Sequence, residues 1–152
     1  MKYAFWNNKG GTGKTSLAFQ TITEYAILNS TKRILAIDLC PQANLSELLM
    51  GGLLGNGGNN LNKLYTTTTA TTVGGYFQER LSSPYQISII NPTQYISNPS
   101  SVNNNVPVNI DLIAGDRIVE LQSNSISALS ITQIPGVDTY IRVVDWVNDL
   151  IN

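Results

Sequence analysis

Lys9–Thr15 reads KGGTGKT, and the wider stretch Asn8–Thr15, NKGGTGKT, follows the spacing Gly-x4-Gly-Lys-Ser/Thr except that Asn8 stands at the first glycine. Glycines in such a loop let consecutive backbone N–H groups converge on phosphate oxygens, and a helix that follows presents its positive end to them. Lys14 is then placed to neutralise β- and γ-phosphate charge, and the Thr15 hydroxyl to ligate Mg2+. A glycine cluster alone makes turns as readily as a ligand site, so the flanks decide. Upstream, Lys2–Asn7 (KYAFWN) is a short aromatic and apolar run that predicts a buried strand. Downstream, Leu17, Ala18, Ile22, Tyr25, Ala26 and Leu28 keep roughly helical spacing between Lys14 and Asn29, with no Gly or Pro inside. Arg33–Leu39 (RILAIDL), closed by Pro41, has the near-continuous apolar pattern of a strand covered on both faces of a parallel sheet. Strand, glycine turn, helix and strand make a βαβ unit with a right-handed crossover.

Beyond this unit the signals weaken. A short helical turn is expected from Asn44 to Met50, and Gly51–Asn60 (GGLLGNGGNN) reads as a flexible loop. Thr66–Thr72 has no apolar alternation and its state stays open. Val73–Leu81 predicts a short helix despite two glycines that each cost about 1 kcal/mol there. Gln86–Ile90 predicts a brief strand, Asn91–Pro107 a long loop, and Val108–Ala114 (VNIDLIA) a strand ending at Gly115. Asp116 is a candidate N-cap for a helix reaching about Ala128. In Val137–Ile151, Ile141, Val144, Val147 and Ile151 fall on one helical face. There is no internal repeat.

Composition bounds the chemistry. The 152 residues are about one domain's worth, with 42% hydrophobic residues to build a core. A formal net charge of -1 gives no bulk attraction to polyanions, so phosphate binding has to come from local geometry. Cys40 is the single cysteine and histidine is absent, which excludes an internal disulfide, ordinary zinc sites and His-based acid–base pairs. No apolar run approaches the roughly 20 residues of a membrane helix, and Asn7, Asn8 and Lys9 interrupt any signal-peptide core. The expectation is a cytoplasmic protein with no membrane segment. From Leu48 to Ile110 only Lys63, Glu79 and Arg80 are charged, so the region of about 51–107 is expected to be a flexible, low-charge part of a single 1–152 domain.

Lys9, the second lysine of the loop, carries a resemblance. KGGTGKT is similar to the KGGxGKT loop of the ParA/MinD (Soj-like) family of deviant Walker A ATPases. The resemblance implies that Gly10, Gly11, Thr12, Gly13, Lys14, Thr15 and Ser16 bind nucleotide, and that Lys9 reaches across a nucleotide-sandwich dimer to the partner's phosphates. Ile37–Ser46 (IDLCPQANLS) resembles the family's second motif, hydrophobic-Asp-x-Asp-Pro-Gln-x-Asn-x-Thr, so that Asp38 matches the aspartate holding a Mg2+-bound water. Pro41, Gln42, Asn44 and Ser46 match the remainder, whereas Cys40 stands where the family has the aspartate that positions the attacking water. Val108–Gly115 is similar to a third family strand, with Asp116–Leu121 matching the helix after it.

By this resemblance the fold is α/β, a three-layer P-loop NTPase fold with a mostly parallel sheet. It would be incomplete, because the family's Walker B strand would follow the helix that ends the chain, and the expectation is an N-terminal portion of a longer ATPase. Lys9, Lys14 and Asp38 are the expected catalytic residues, Thr15 and, through water, Asp38 the metal-side residues, and ATP and Mg2+ the cofactors. The implied function is an ATP-dependent homodimerising ATPase of plasmid or chromosome partitioning, whose partners are a ParB-like adaptor and nonspecific DNA. A nucleotide-dependent binding module with little or no hydrolysis stays open, because a thiol at Cys40 supplies no carboxylate. A tyrosine-kinase relative would need an Asp-x-Asp-x-Arg second motif and a C-terminal tyrosine cluster, and a dinucleotide enzyme Gly-x-Gly-x-x-Gly, none of which the chain carries.

Overall fold

The computed structural model describes residues 1–7, 9–66, 70–85 and 90–151. The Gly13 backbone, with φ 78°, turns the chain into helix α1 (Lys14–Leu28), which runs unbroken until Asn29 caps it with its N–H on the Tyr25 carbonyl. Strand β1 (Ile34–Ile37) follows, then helices α2 (Asn44–Leu49), α3 (Gly57–Tyr65) and α4 (Val73–Ser82). Short strand β2 (Ile96–Ser97) lies between two single-turn 3₁₀ segments, Pro92–Tyr95 and Pro99–Ser101. Strand β3 (Ile110–Ile113) leads to helices α5 (Ile118–Ile131) and α6 (Thr139–Ile151).

The sheet has order β1-β3-β2. β1 pairs parallel with β3, Ile34 opposite Ile110 through Ile37 opposite Ile113, and β2 pairs antiparallel with β3, Ile96 opposite Ile113. Among the described residues it is a small mixed sheet, with β1 and β3 its parallel pair. All four β3 residues are buried, as expected for a strand covered on both faces. Their alternation divides the core. Ile110, Leu112 and Ala114 join Ala36 and Ala26, Leu49 and Leu61 of α1, α2 and α3. Ile113 joins Tyr76, Phe77, Val119, Val143, Trp146 and Leu150 of α4, α5 and α6. Helices therefore cover both faces of the sheet, in three layers.

Polar side chains tie the layers. The buried Asn109 amide nitrogen lies 3.1 Å from the Ala26 carbonyl, 2.9 Å from that of Lys32 and 3.3 Å from that of Asn29, fastening the end of α1 to the start of β3. Arg33 pairs with Asp111, the neighbouring strand's residue, and that carboxylate's hydrogen bond and charge raise the guanidinium pKa. On the other face the buried Arg80 guanidinium pairs with Asp149 and donates through Nε to the Tyr76 hydroxyl at 2.9 Å, which donates to the Trp146 carbonyl at 2.6 Å. That cluster locks α4 to α6.

Several expectations need correction. Lys2–Asn7 is not a strand: it takes no place in the sheet, and Tyr3 and Trp6 are 75% and 80% exposed. Aromatic content gave it strand propensity, but a strand also needs a neighbour to pair with. The βαβ unit expected around the loop is consequently not formed there, and the parallel pair is β1 with β3. Gly57–Asn60, read as loop, is the first turn of α3. Asn91–Pro107 contains β2 and the two 3₁₀ segments rather than loop alone. The α6 face is rotated from the expected one, burying Val143, Trp146 and Leu150 while Val144 and Ile151 stay about 40% exposed. Positions i, i+3 and i+7 hold one stripe, whereas i, i+6 and i+10 drift around the helix. The expected strand at Gln86–Ile90 lies largely outside the described residues, as does Asn8.

Candidate functional site

The loop Lys9–Gly13 is exposed along its length, with Lys14 and Thr15 half-buried at the first two positions of α1 and Ser16 exposed. Gly11 and Gly13 have φ of 71° and 78°, the left-handed region that a side chain disfavours. A Cβ built on Gly10, Gly11 or Gly13 would meet nothing within 4 Å, so the glycines leave open space over the loop. No side chain caps α1 and no acidic residue stands in its first turn. The first helical bond runs from Leu17 N–H to the Gly13 carbonyl at 2.9 Å. The amides of Lys14, Thr15 and Ser16 precede that bond and are the orphan donors of the helix start, available to an anion.

Thr15 opens onto a groove of about 330 Å³ lined by Asn44, Glu47, Leu48, Gly52 and Leu53. A wider depression of about 680 Å³ sits at the α5–α6 connection between Ile131 and Tyr140, and none of the motif residues lines it. Asp38 lies one residue past β1 and is buried. Its Oδ1 accepts the Cys40 amide at 3.1 Å, and its Oδ2 accepts the Ser46 amide at 3.0 Å and the Ser46 hydroxyl at 2.8 Å. Among the described residues no hydrogen bond joins Asp38 to the loop. Cys40 is exposed, in a turn closed by the Ala43 amide on its carbonyl at 2.9 Å.

Sequence reasoning missed Tyr65 and Thr72, which gather on Gly115 and Asp116 at the end of β3. Asp116 is buried; its Oδ1 accepts the Ile118 amide at 3.0 Å, although the N-cap of α5 is Arg117 and not the expected Asp116, while its Oδ2 accepts the Thr72 hydroxyl at 2.7 Å. Thr72 in turn accepts the Gly75 amide at 3.2 Å as N-cap of α4. Tyr65 donates to the Gly115 carbonyl at 3.1 Å, and burial first, then the charges of Asp116 and Asp38, push its pKa up to about 12. Tyr65 and Thr72 lie outside the motifs, whereas Gly115 closes the third matched strand and Asp116 opens the helix after it, so the strand-end position of Gly115-Asp116 was the one signal for this cluster. Glu47 also went unremarked, although it brings a carboxylate to the groove beside Thr15.

A family model described as AAA domain matches residues 1–139, from before the phosphate loop into α6. The chain belongs to this family of ParA/MinD-like P-loop ATPase domains. No curated protein and no solved structure matches the chain significantly. Membership of this AAA-domain P-loop ATPase family implies nucleotide binding, usually together with Mg2+. The residue types of Thr15 and Asp38 are those that a metal arriving with the nucleotide would take. A threonine hydroxyl and one carboxylate with an acceptor direction to spare suit Mg2+, which keeps several waters and takes phosphate oxygens. Among the described residues no group of three or more acidic or sulfur ligands could cage a metal unaided. Nor, among them, is any helix of this AAA domain long and apolar enough to cross a membrane.

Proposed function

We propose that the chain is a Mg2+- and ATP-binding, ATP-dependent dimerising ATPase of the ParA type, acting in plasmid or chromosome partitioning with a ParB-like adaptor and nonspecific DNA. The observation that carries this reading is the family match spanning an open KGGTGKT loop set at the start of α1. Lys14 and the amides of α1's first turn hold the β- and γ-phosphates, and Thr15 and Asp38 face the metal side. Mg2+ would neutralise phosphate charge and order the water around it. Lys9, exposed on the loop, is free of the helix and suited to reach phosphates bound by a second subunit. Phosphoryl transfer to water then rests on charge neutralisation and an in-line water.

The test is the melting temperature of the chain with and without millimolar Mg2+-ATP, alongside size-exclusion chromatography under both conditions. Ligand at about a hundred times its dissociation constant stabilises by about 2.7 kcal/mol, a readily measured rise. Lys14→Ala should lose it. An unchanged melting temperature in the parent chain would overturn the nucleotide reading, and a monomer with ATP bound would remove the dimer from it. Cys40 supports a second reading: the exposed residue two beyond Asp38 is a thiol without carboxylate charge, which suits a nucleotide-dependent switch that hydrolyses slowly.

A further inference from the structure

Ser46 is fully buried in the first turn of α2, and its single hydroxyl is used in both directions. The O–H donates to Asp38 Oδ2 at 2.8 Å, while the oxygen accepts the Gly115 amide at 2.9 Å. With the Ser46 and Cys40 amides, the Asp38 carboxylate accepts three hydrogen bonds, two on Oδ2 and one on Oδ1. An ionised carboxylate offers about four lone-pair positions, so three bonds fix its plane and leave one acceptor direction. The chain of bonds continues beyond Ser46. The Gly115 carbonyl accepts the hydroxyl of Tyr65, the last residue of α3, at 3.1 Å. The junction depends on close approach: a Cβ on Gly115 would stand 2.8 Å from the Cys40 carbonyl oxygen and 3.0 Å from Ala43.

We propose that Ser46 is a positioning residue, one that aims the remaining acceptor of Asp38 at a water of nucleotide-bound Mg2+ and relays that contact through Gly115 to Tyr65 and α3. The inference rests on the reading of Asp38 as the metal-side carboxylate. Removing the hydroxyl leaves the Gly115 N–H without its partner in a buried place and frees the carboxylate to turn. Partners of this kind, behind the groups that meet a metal, typically change metal affinity about 10- to 100-fold when lost.

The experiment titrates Mg2+ into the 152-residue chain at saturating ATP, following melting temperature in the parent, Ser46→Ala and Ser46→Thr. ATP alone should raise the melting temperature of Ser46→Ala as much as that of the parent. The Mg2+ concentration giving half of the further rise should increase about 10- to 100-fold, and Ser46→Thr, which keeps the hydroxyl, should bring it back. An unchanged Mg2+ midpoint in Ser46→Ala overturns the proposal and leaves ATP binding standing. A parent chain with no response to ATP overturns both. Should Ser46→Ala fail to fold, the parent still decides, because adding Mg2+ to the ATP-saturated, 15N-labelled chain must move the Ser46 and Gly115 amide resonances together with the Tyr65 ring. Resonances that stay in place overturn the relay.

Discussion

Cys40 is where one residue decides between two chemistries. Its amide serves Asp38 and its carbonyl closes the turn to Ala43, so the backbone there is fixed whatever the side chain, while the thiol itself is exposed. A carboxylate can therefore be introduced without disturbing the turn. Where ATP turnover is limited by the lack of a water-positioning group, Cys40→Asp should raise phosphate release per bound ATP by about 10²- to 10⁴-fold, with ATP binding unchanged. Equal turnover in the two chains would mean that position 40 does not set the rate. At this scale the sequence proposes roles where a side chain acts through its own chemistry: Lys14 and Thr15 from type and spacing, Asp38 from the resemblance of its motif. Ser46 could be matched to a motif but its work could not, because that work consists of two bonds to partners 8 and 69 residues away.

Helix α4 shows what glycine does inside an element. Two glycines in Val73–Ser82 count against a helix by propensity, yet both sit at contacts that exclude a side chain. A Cβ on Gly75 would lie 1.8 Å from the Ala70 carbonyl oxygen, and one on Gly74 2.3 Å from Ile118 Cγ2 and 2.8 Å from Asp116 Oδ2. Gly75→Ala should therefore destabilise the chain, by about 1–3 kcal/mol, instead of gaining the usual helix propensity. Urea unfolding followed by circular dichroism reads the sign directly. The same physics explains a misreading in α3. Gly57 begins that helix because a side chain there would stand 2.3 Å from the Glu47 carbonyl oxygen, so composition suggested a loop where packing required glycine. Helices α1 and α6 were legible because their periodicity is local, and α2, α4 and α5 were expected from shorter signals. Lys2–Asn7 was not, since a strand is a relation between two segments and propensity describes one.

The whole molecule carries its two tryptophans in opposite states. Trp6 is 80% exposed in the N-terminal segment, while Trp146 is 3% exposed in the core beside Tyr76. Iodide should quench one emitting population and spare the other, and the protected population alone should shift to longer wavelength on unfolding. Two equally quenched tryptophans would mean that α6 is not docked on α4. Between these extremes lies α1, whose two ends are held very differently. At Leu28 the Asn109 amide grips the carbonyls around the helix terminus, whereas at Lys14 the helix opens into an exposed glycine loop. In mechanical terms α1 is a cantilever clamped at its carboxyl end. Its 15 residues make a rod of about 22 Å, stiff enough that a load applied to the tip is felt at the root. Phosphate seated on the loop would turn this one-ended support into a beam held at both ends, and amide exchange along the first turns of α1 should slow the most.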